Sequence, residues 1–310
     1  MRPTLSRAHD GRMNASSPVL VATDLTETSH AALLQGRAYA AALGAPLVVC
    51  HVVPDVFRQH PLLPDPMASE LGVEARVIAR AADLATEQVE RVLGLGPSEV
   101  RVVVETGTVD EEIVRLGEEA HARLLVVGGS SGEGADPFVG QVAEQVVRYA
   151  HTSVLVAREP GDGAREPRLL ATTDFSENSV HALEVAAKLA KSMGASVTLL
   201  HVSTPPSSIA STAFMPFGDT WTPPSAAAMA QLDALGLKTL EGLAKQFGFA
   251  TFEQVAGEPE DVIAERADSL DASLVVVGSR GRKGLSRFVL GSVAESVIAK
   301  CTRSVFVVRA

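Results

Sequence analysis

Only two cysteines, Cys50 and Cys301, occur in the 310 residues, and they lack the spacing of a disulfide framework or a zinc site. Free thiols fit a reducing compartment, so the expected location is cytoplasmic, and both read as small core residues rather than nucleophiles. Aromatic residues are scarce, with a single tryptophan, Trp221. The longest apolar runs are of strand length, which argues against a membrane-spanning helix. Positive charge is also short: the formal net charge is -10, so a general nucleic-acid or anionic-membrane surface would be repelled, and any anion site must be local. Neither a P-loop G-x-x-x-x-G-K-[ST] nor a G-x-G-x-x-G following a strand is present, which removes the ordinary NTPase and dehydrogenase readings. Residues 1–17 lack the apolar centre of a signal peptide and read as a disordered leader.

What the chain does contain is one unit written twice. VLVATDLTETSHAAL at residue 19 aligns with LLATTDFSENSVHAL at 169, placing Asp24 on Asp174. The offset of 150 persists through His51 on His201, Gly107 on Gly257 and Gly128 on Gly278, then becomes 151 with Gly140 on Gly291 and Glu144 on Glu295. The first copy has therefore lost one residue inside a glycine-rich loop. Two domains follow, 18–157 and 168–310, joined by a polar, proline-bounded linker at 158–167.

Each copy alternates apolar strands with helical patterns, the first reading PVLVAT, a helix over 28–43, LVVCHVV, a helix ending near 93, EVRVVVE, a helix over 109–120, RLLVVG, a helix over 139–150 and SVLVA. Strands apolar throughout and separated by helices predict a parallel sheet covered on both faces, doubly wound, with strand order 3-2-1-4-5 and its switch point between strands 1 and 4. The last strand of each copy is a predicted sheet edge and needs a partner or a cover. The segment between strand 2 and the next helix is longer in the second copy, where residues 204–225 hold Phe214, Phe217 and Trp221; it reads as a lid, an interaction surface or packing.

The chemistry concentrates in GSRGRKGLSRFVLGS, residues 278–292, which leaves a strand and ends at a helix start. Glycines let a backbone approach an anion, and free N–H groups with the positive end of a helix attract it. Arg280, Arg282, Lys283 and Arg287 add cationic charge, whereas the first copy carries Glu133, Asp136 and no Lys or Arg in the matching segment. Asp174 ends strand 1 of the second copy, where it could take hydrogen bonds from a ribose, help hold a phosphate-bound cation, or simply cap the next helix. Ser292 can meet phosphate or act as a plain cap.

Gly278, Gly281, Gly291 and Ser292 match G-x-x-G, nine residues, then G and S or T. With this spacing after strand 4, both copies resemble the universal stress protein family, and the second resembles its ATP-binding members. The resemblance implies two tandem domains of the adenine nucleotide alpha hydrolase-like kind, ATP as ligand, and Mg²⁺ or Mn²⁺ accompanying its phosphates. It places the ribose on Asp174 with backbone contact at Thr172, adenine on Val202, and the phosphates on Gly278, Gly281, Gly291, Ser292 and Val293. Thr172 stands where the family often has Pro. The first copy keeps Asp24, Val52, Gly128 and Gly140 but has Ser131 for the second motif glycine and Gln141 for the serine, so no site is assigned there. The resemblance also implies pairing of the two domains through their last strands, and a further homodimer is an expectation.

The expected function is an ATP-binding stress-response regulator, with nucleotide held in the second domain, little or no turnover, and an unidentified protein partner. The competing readings are a slow metal-dependent ATPase or phosphotransferase and a nucleotide-free scaffold. Residues 128–132 form a G-x-S-x-G with Ser130 as a nominal nucleophile, but a polar run with Pro137 separates it from the next helix, against the hydrolase elbow. His51 and His201 recur at one strand end and read as packed residues with a satisfied N–H, with no metal cluster.

Overall fold

The computed structural model describes residues 17–54, 73–129, 137–159, 166–204, 225–281 and 290–309. In the first domain β1 (Val19–Ala22) leads through a short 3-10 turn (Glu27–Ser29) to α1 (His30–Leu43), then β2 (Leu47–Pro54), α2 (Val73–Leu93), β3 (Arg101–Gly107), α3 (Val109–Glu119), β4 (Leu124–Gly128), α4 (Pro137–Tyr149) and β5 (Ser153–Ala157). The second repeats it: β6 (Arg168–Thr172), α5 (Glu177–Met193), β7 (Ser196–Ser203), α6 (Ala226–Phe247), β8 (Thr251–Ala256), α7 (Pro259–Ser269), β9 (Leu274–Gly278), α8 (Ser292–Lys300) and β10 (Ser304–Val308). Two boundaries differ from the sequence reading. The helix expected from residue 28 starts at His30 because the 3-10 turn takes its first residues. The helix expected from 139 starts at Pro137, whose fixed φ and missing N–H suit a first turn.

The ten strands described form one sheet, β3-β2-β1-β4-β5-β10-β9-β6-β7-β8. Each half is parallel in the order 3-2-1-4-5, with β1 held between β2 and β4 (Val21 opposite Val49 and Val126) and β6 between β7 and β9 (Leu170 opposite Thr198 and Val275). The halves meet where β5 and β10 pair antiparallel, Leu155 opposite Phe306. Each last strand thus covers the other's edge.

Because the strand period is two, alternate residues feed two core layers, one on each face. One layer takes Val19, Val21, Leu169, Ala171 and Phe306; the other takes Leu20, Leu170, Val154, Val305 and Val307. Both layers run through both halves, and the Tyr39 ring of α1 lies 5.9 Å from that of Phe306 in β10. Among the described residues no helix is long and apolar enough to cross a membrane.

The seam carries a reciprocal polar device. Arg158, just past β5 and 4% exposed, donates from its guanidinium to the carbonyl of Ile298 (2.6 Å) in the last turn of α8 and to that of Arg303 (3.1 Å) just before β10, and its backbone N–H donates to Ser304 Oγ (3.0 Å). Its counterpart Arg309 donates to the carbonyls of Val147 and Arg148 at the end of α4, and its N–H donates to Ser153 Oγ (3.1 Å). Each domain's terminal arginine therefore caps the last helix of the other, where orphan carbonyls and the negative end of the dipole favour a cation. Arg148 and Glu295 add an ion pair between α4 and α8.

Candidate functional site

In the second domain β6 ends at Thr172, and the chain turns sharply. Thr173 N–H still reaches the carbonyl of Leu200 (2.9 Å), continuing the ladder one residue past the strand. Phe175 then adopts φ 64°, a conformation uncommon for a residue with a side chain. A web of short hydrogen bonds supports that bend. Phe175 N–H donates to Thr173 Oγ1 (3.0 Å), Ser176 N–H and hydroxyl donate to Asp174 Oδ1 (3.0 and 2.6 Å), and Ser176 Oγ accepts from Ser179 N–H (3.2 Å) as the cap of α5. Asp174 therefore does not cap the helix; Ser176 does. His201 Nδ1 meets the Thr173 carbonyl at 2.8 Å, which makes that nitrogen the protonated one, and its ring lies 4.2 Å from the Phe175 ring.

β9 delivers the second wall. Gly278 passes so close to the start of α5 that a Cβ there would lie 3.3 Å from the Asn178 carbonyl oxygen. A Cβ on Gly281 would come within 2.8 Å of Asp174 Oδ2, so with any larger residue the carboxylate or the loop would have to shift. On the far side of the loop Gly291 N–H donates to the Ser279 carbonyl (2.8 Å), bringing the N-cap of α8 back against β9. The first intrahelical bond comes from Glu295 N–H, so the helix itself leaves the N–H groups of Ser292, Val293 and Ala294 for a ligand or solvent.

These walls enclose a cavity of about 430 Å³, of a size that holds a small ligand. Thr172, Asp174, Val202, Gly278, Gly281, Gly291, Ser292 and Val293, the eight residues singled out from the sequence, all line it. Arg280 joins them; Arg282, Lys283 and Arg287 lie outside the described residues. Its lining combines apolar side chains of one core layer, Leu200, Val202, Ile263 and Val277, with Arg280, Ser292 and the helix start. Sequence reasoning missed Pro259 and Ile263, through which α7 joins the lining. Their i, i+4 spacing places them on one helix face, a pattern that by itself reads as core. Among the described residues no group of three or more His, Cys, Asp or Glu could hold a metal. Among the described residues Asp174 is the one carboxylate on the cavity wall, too few for an all-protein cation cage.

The first domain keeps the frame and fills it differently. Leu25 takes φ 67° and His51 Nδ1 meets the Thr23 carbonyl at 2.8 Å, as their counterparts do. Asp24 accepts from Thr26 N–H (2.9 Å) and hydroxyl (2.7 Å) at one oxygen and from the Thr28 hydroxyl (3.1 Å) at the other. Burial pushes this carboxyl up, but the hydrogen bonds from Thr26, Thr28 and Ser29 outweigh it and hold the carboxyl below its usual range. Gln88 of α2, 2% exposed, accepts from the Thr23 hydroxyl (2.6 Å) and donates to the Thr26 carbonyl (2.9 Å), tying this turn to the helix above it. Val52 is buried at 5%, whereas Val202 is only partly buried. Ser130, Ser131, Glu133 and Asp136 lie outside the described residues, as do Phe214, Phe217 and Trp221.

Both recurrent histidines thus serve as struts between strand ends. Burial pushes the Cys50 thiol up to about 12 and raises that of Cys301, consistent with core packing rather than nucleophilic chemistry.

Comparison with known proteins agrees with this architecture. The Universal stress protein family model matches residues 16–158 and again 167–309. A universal stress protein of Mycolicibacterium smegmatis is 27% identical over 296 residues, 94% of this chain and 96% of its own length. The YxiE universal stress protein of Bacillus subtilis is 33% identical over 152 residues, 46% of this chain and 98% of its own. Among solved structures, a universal stress protein from Archaeoglobus fulgidus superposes with a TM-score of 0.59 at 22% identity, covering 94% of this chain and 96% of that one, a likeness of fold.

Proposed function

The chain belongs to the universal stress protein family, in a tandem arrangement of two such domains, and from that premise we propose that its second domain holds ATP as a regulatory ligand with little or no turnover. The observation that carries the reading is the approach of Gly281 to Asp174, which joins the strand-1 carboxylate and the glycine loop into one wall of a cavity lined by apolar side chains as well as by Arg280, Ser292 and the start of α8. In this reading Asp174 accepts from the ribose and Thr172 adds backbone contact. Val202, with Leu200, Ile263 and Val277, packs the adenine. The loop glycines, Ser292, Val293 and Arg280 meet the phosphates, with Mg²⁺ or Mn²⁺ bound to those phosphates.

The described residues of the wall support a reading of little turnover. Among its described residues there is no histidine or lysine, and Asp174 is the one carboxylate, already accepting two hydrogen bonds from Ser176. A ribose acceptor in that role is not placed to deprotonate an attacking water. The test is to release the small molecules from purified protein, identify them by mass spectrometry, and titrate nucleotide-free protein with ATP and Mg²⁺ by calorimetry. One adenine nucleotide per chain with slow ADP formation is expected. ADP formation at enzymatic rates, abolished by Asp174→Ala, would replace this reading with a true ATPase; no bound nucleotide and no heat would replace it with a scaffold.

A further inference from the structure

The helix after the second strand of each domain is finished in opposite ways on its outer face. In the first domain α2 exposes Arg76, Arg80, Asp83, Glu87 and Glu90 with Val77 (40%) among them, a mainly charged surface. In the second, α6 exposes Leu232 (58%), Leu235 (61%) and Leu237 (47%), and Asp233 is the only charge in residues 226–237. The segment is a formed helix. Ser225 caps it by accepting from Ala228 N–H (3.2 Å), and Gln254 of β8 donates to the Asp233 carbonyl (3.2 Å) and lies 3.4 Å from its carboxylate, turning that charge towards the sheet. An apolar face left exposed among the described residues, on a chain of net charge -10, marks an interaction surface.

The pattern on that face says what it pairs with. Ala228, Leu232, Leu235, Thr239 and Gly242 recur at intervals of four, three, four and three, the spacing of a helix–helix seam. Thr239 donates its hydroxyl to the Leu235 carbonyl (2.8 Å), so its polar group is satisfied within the helix. We propose that a second copy of this chain docks here, two α6 helices packing antiparallel about a two-fold axis. An axis passing between Asp233 and Ala234 sets Leu232 against Leu235 of the second copy and Ala228 against its Thr239, large on large in the middle and small on small outside. Lys238 then flanks Gln231 of the second copy, so no charge meets its like across the seam. One helix pair is a small contact, so the dimer is weak, with a Kd on the order of micromolar. Added salt screens the repulsion between two acidic chains and strengthens it.

Sedimentation velocity on the full chain over on the order of 1 to 100 µM, at low and high salt, tests this. A monomer–dimer equilibrium that salt strengthens is expected, with Leu232→Glu/Leu235→Glu monomeric throughout and its thermal melt unchanged, because both side chains are already exposed. A second variant, Leu232→Cys/Leu235→Cys, should form an intermolecular disulfide under mild oxidation, and Leu237→Cys should not; native Cys50 and Cys301 are buried and do not compete. A monomer at every concentration, or a dimer that survives the glutamate variant, overturns the proposal. So does a monomer whose glutamate variant melts at lower temperature, which would mean that the chain's own residues 205–224 cover the face.

Discussion

The two strand-1 turns of this protein share an aspartate, a left-handed residue after it and a histidine strut beneath it, yet one turn is closed upon itself and the other walls a cavity. Around Asp24 both carboxylate oxygens are taken by threonine hydroxyls, and Gln88 bolts the turn to α2. Around Asp174 a glycine presses against the carboxylate, and both line a cavity. The aspartate is thus common to both turns, and what surrounds it differs. Where the second domain has Gly281, the sequence of the first has Ser131, a residue that carries a Cβ.

The sharpest way to break the comparison is to give the second domain the first domain's atom. In Gly281→Ala the new Cβ falls 2.8 Å from an Asp174 oxygen, so loop or carboxylate must move. ATP affinity measured by calorimetry should drop about 100-fold, or about 2.7 kcal/mol, with the fold intact by circular dichroism. Unchanged affinity would show that the contact does not shape the site.

A second test asks whether the seam is symmetrical in energy as well as in layout. Arg158 is almost wholly buried, and Arg309 is only partly so. Arg158→Met leaves the carbonyls of Ile298 and Arg303 without their donor and should lower stability by about 2 kcal/mol in urea unfolding, against about 1 kcal/mol for Arg309→Met. Equal losses would mean that burial does not separate the two caps.

Gln88→Ala should cost about 1 kcal/mol in the same assay and leave ATP affinity unchanged, because its partners lie in the first domain. An effect on ATP binding would show that the closed turn feeds the open one. The smallest effect concerns Asp24. Its folded carboxyl titrates lower than in the unfolded chain, so its contribution is present above the unfolded value near pH 4 and is lost as pH falls through the folded value. The turn partly desolvates the carboxyl, but the residue as a whole is exposed, so Asp24→Asn should remove only a few tenths of a kcal/mol at neutral pH and flatten the acid limb of the stability profile.

Much of this was legible before any coordinates. Strand order followed from apolar runs separated by helical patterns; the residues that line the cavity came from the motif resemblance, and setting one copy against the other set Gly281 beside Ser131. What stayed hidden was whatever depends on contacts distant in sequence. Arg158 and Arg309 read as ordinary cations after a strand; nothing local says that each reaches a helix end in the other domain. Gln88 reads as one polar residue on an amphipathic helix, and Pro259 and Ile263 read as core. The leucines of α6 also pass for core, because periodicity shows that a face is apolar and not whether anything covers it.

The antiparallel pairing of β5 with β10 has a consequence for how the protein is made. Those strands lie about 150 residues apart, so at ordinary ribosomal speeds β5 is complete on the order of ten seconds before its partner exists. During that interval the first domain carries an unpaired strand edge, open to the same edge of a neighbouring nascent chain. Joining the two domains in one polypeptide raises the local concentration of the correct partner once it emerges, but it cannot shorten the wait. Crowded synthesis on one messenger should therefore favour products joined through two copies of β5, and dilution of translating ribosomes should favour the internal pair.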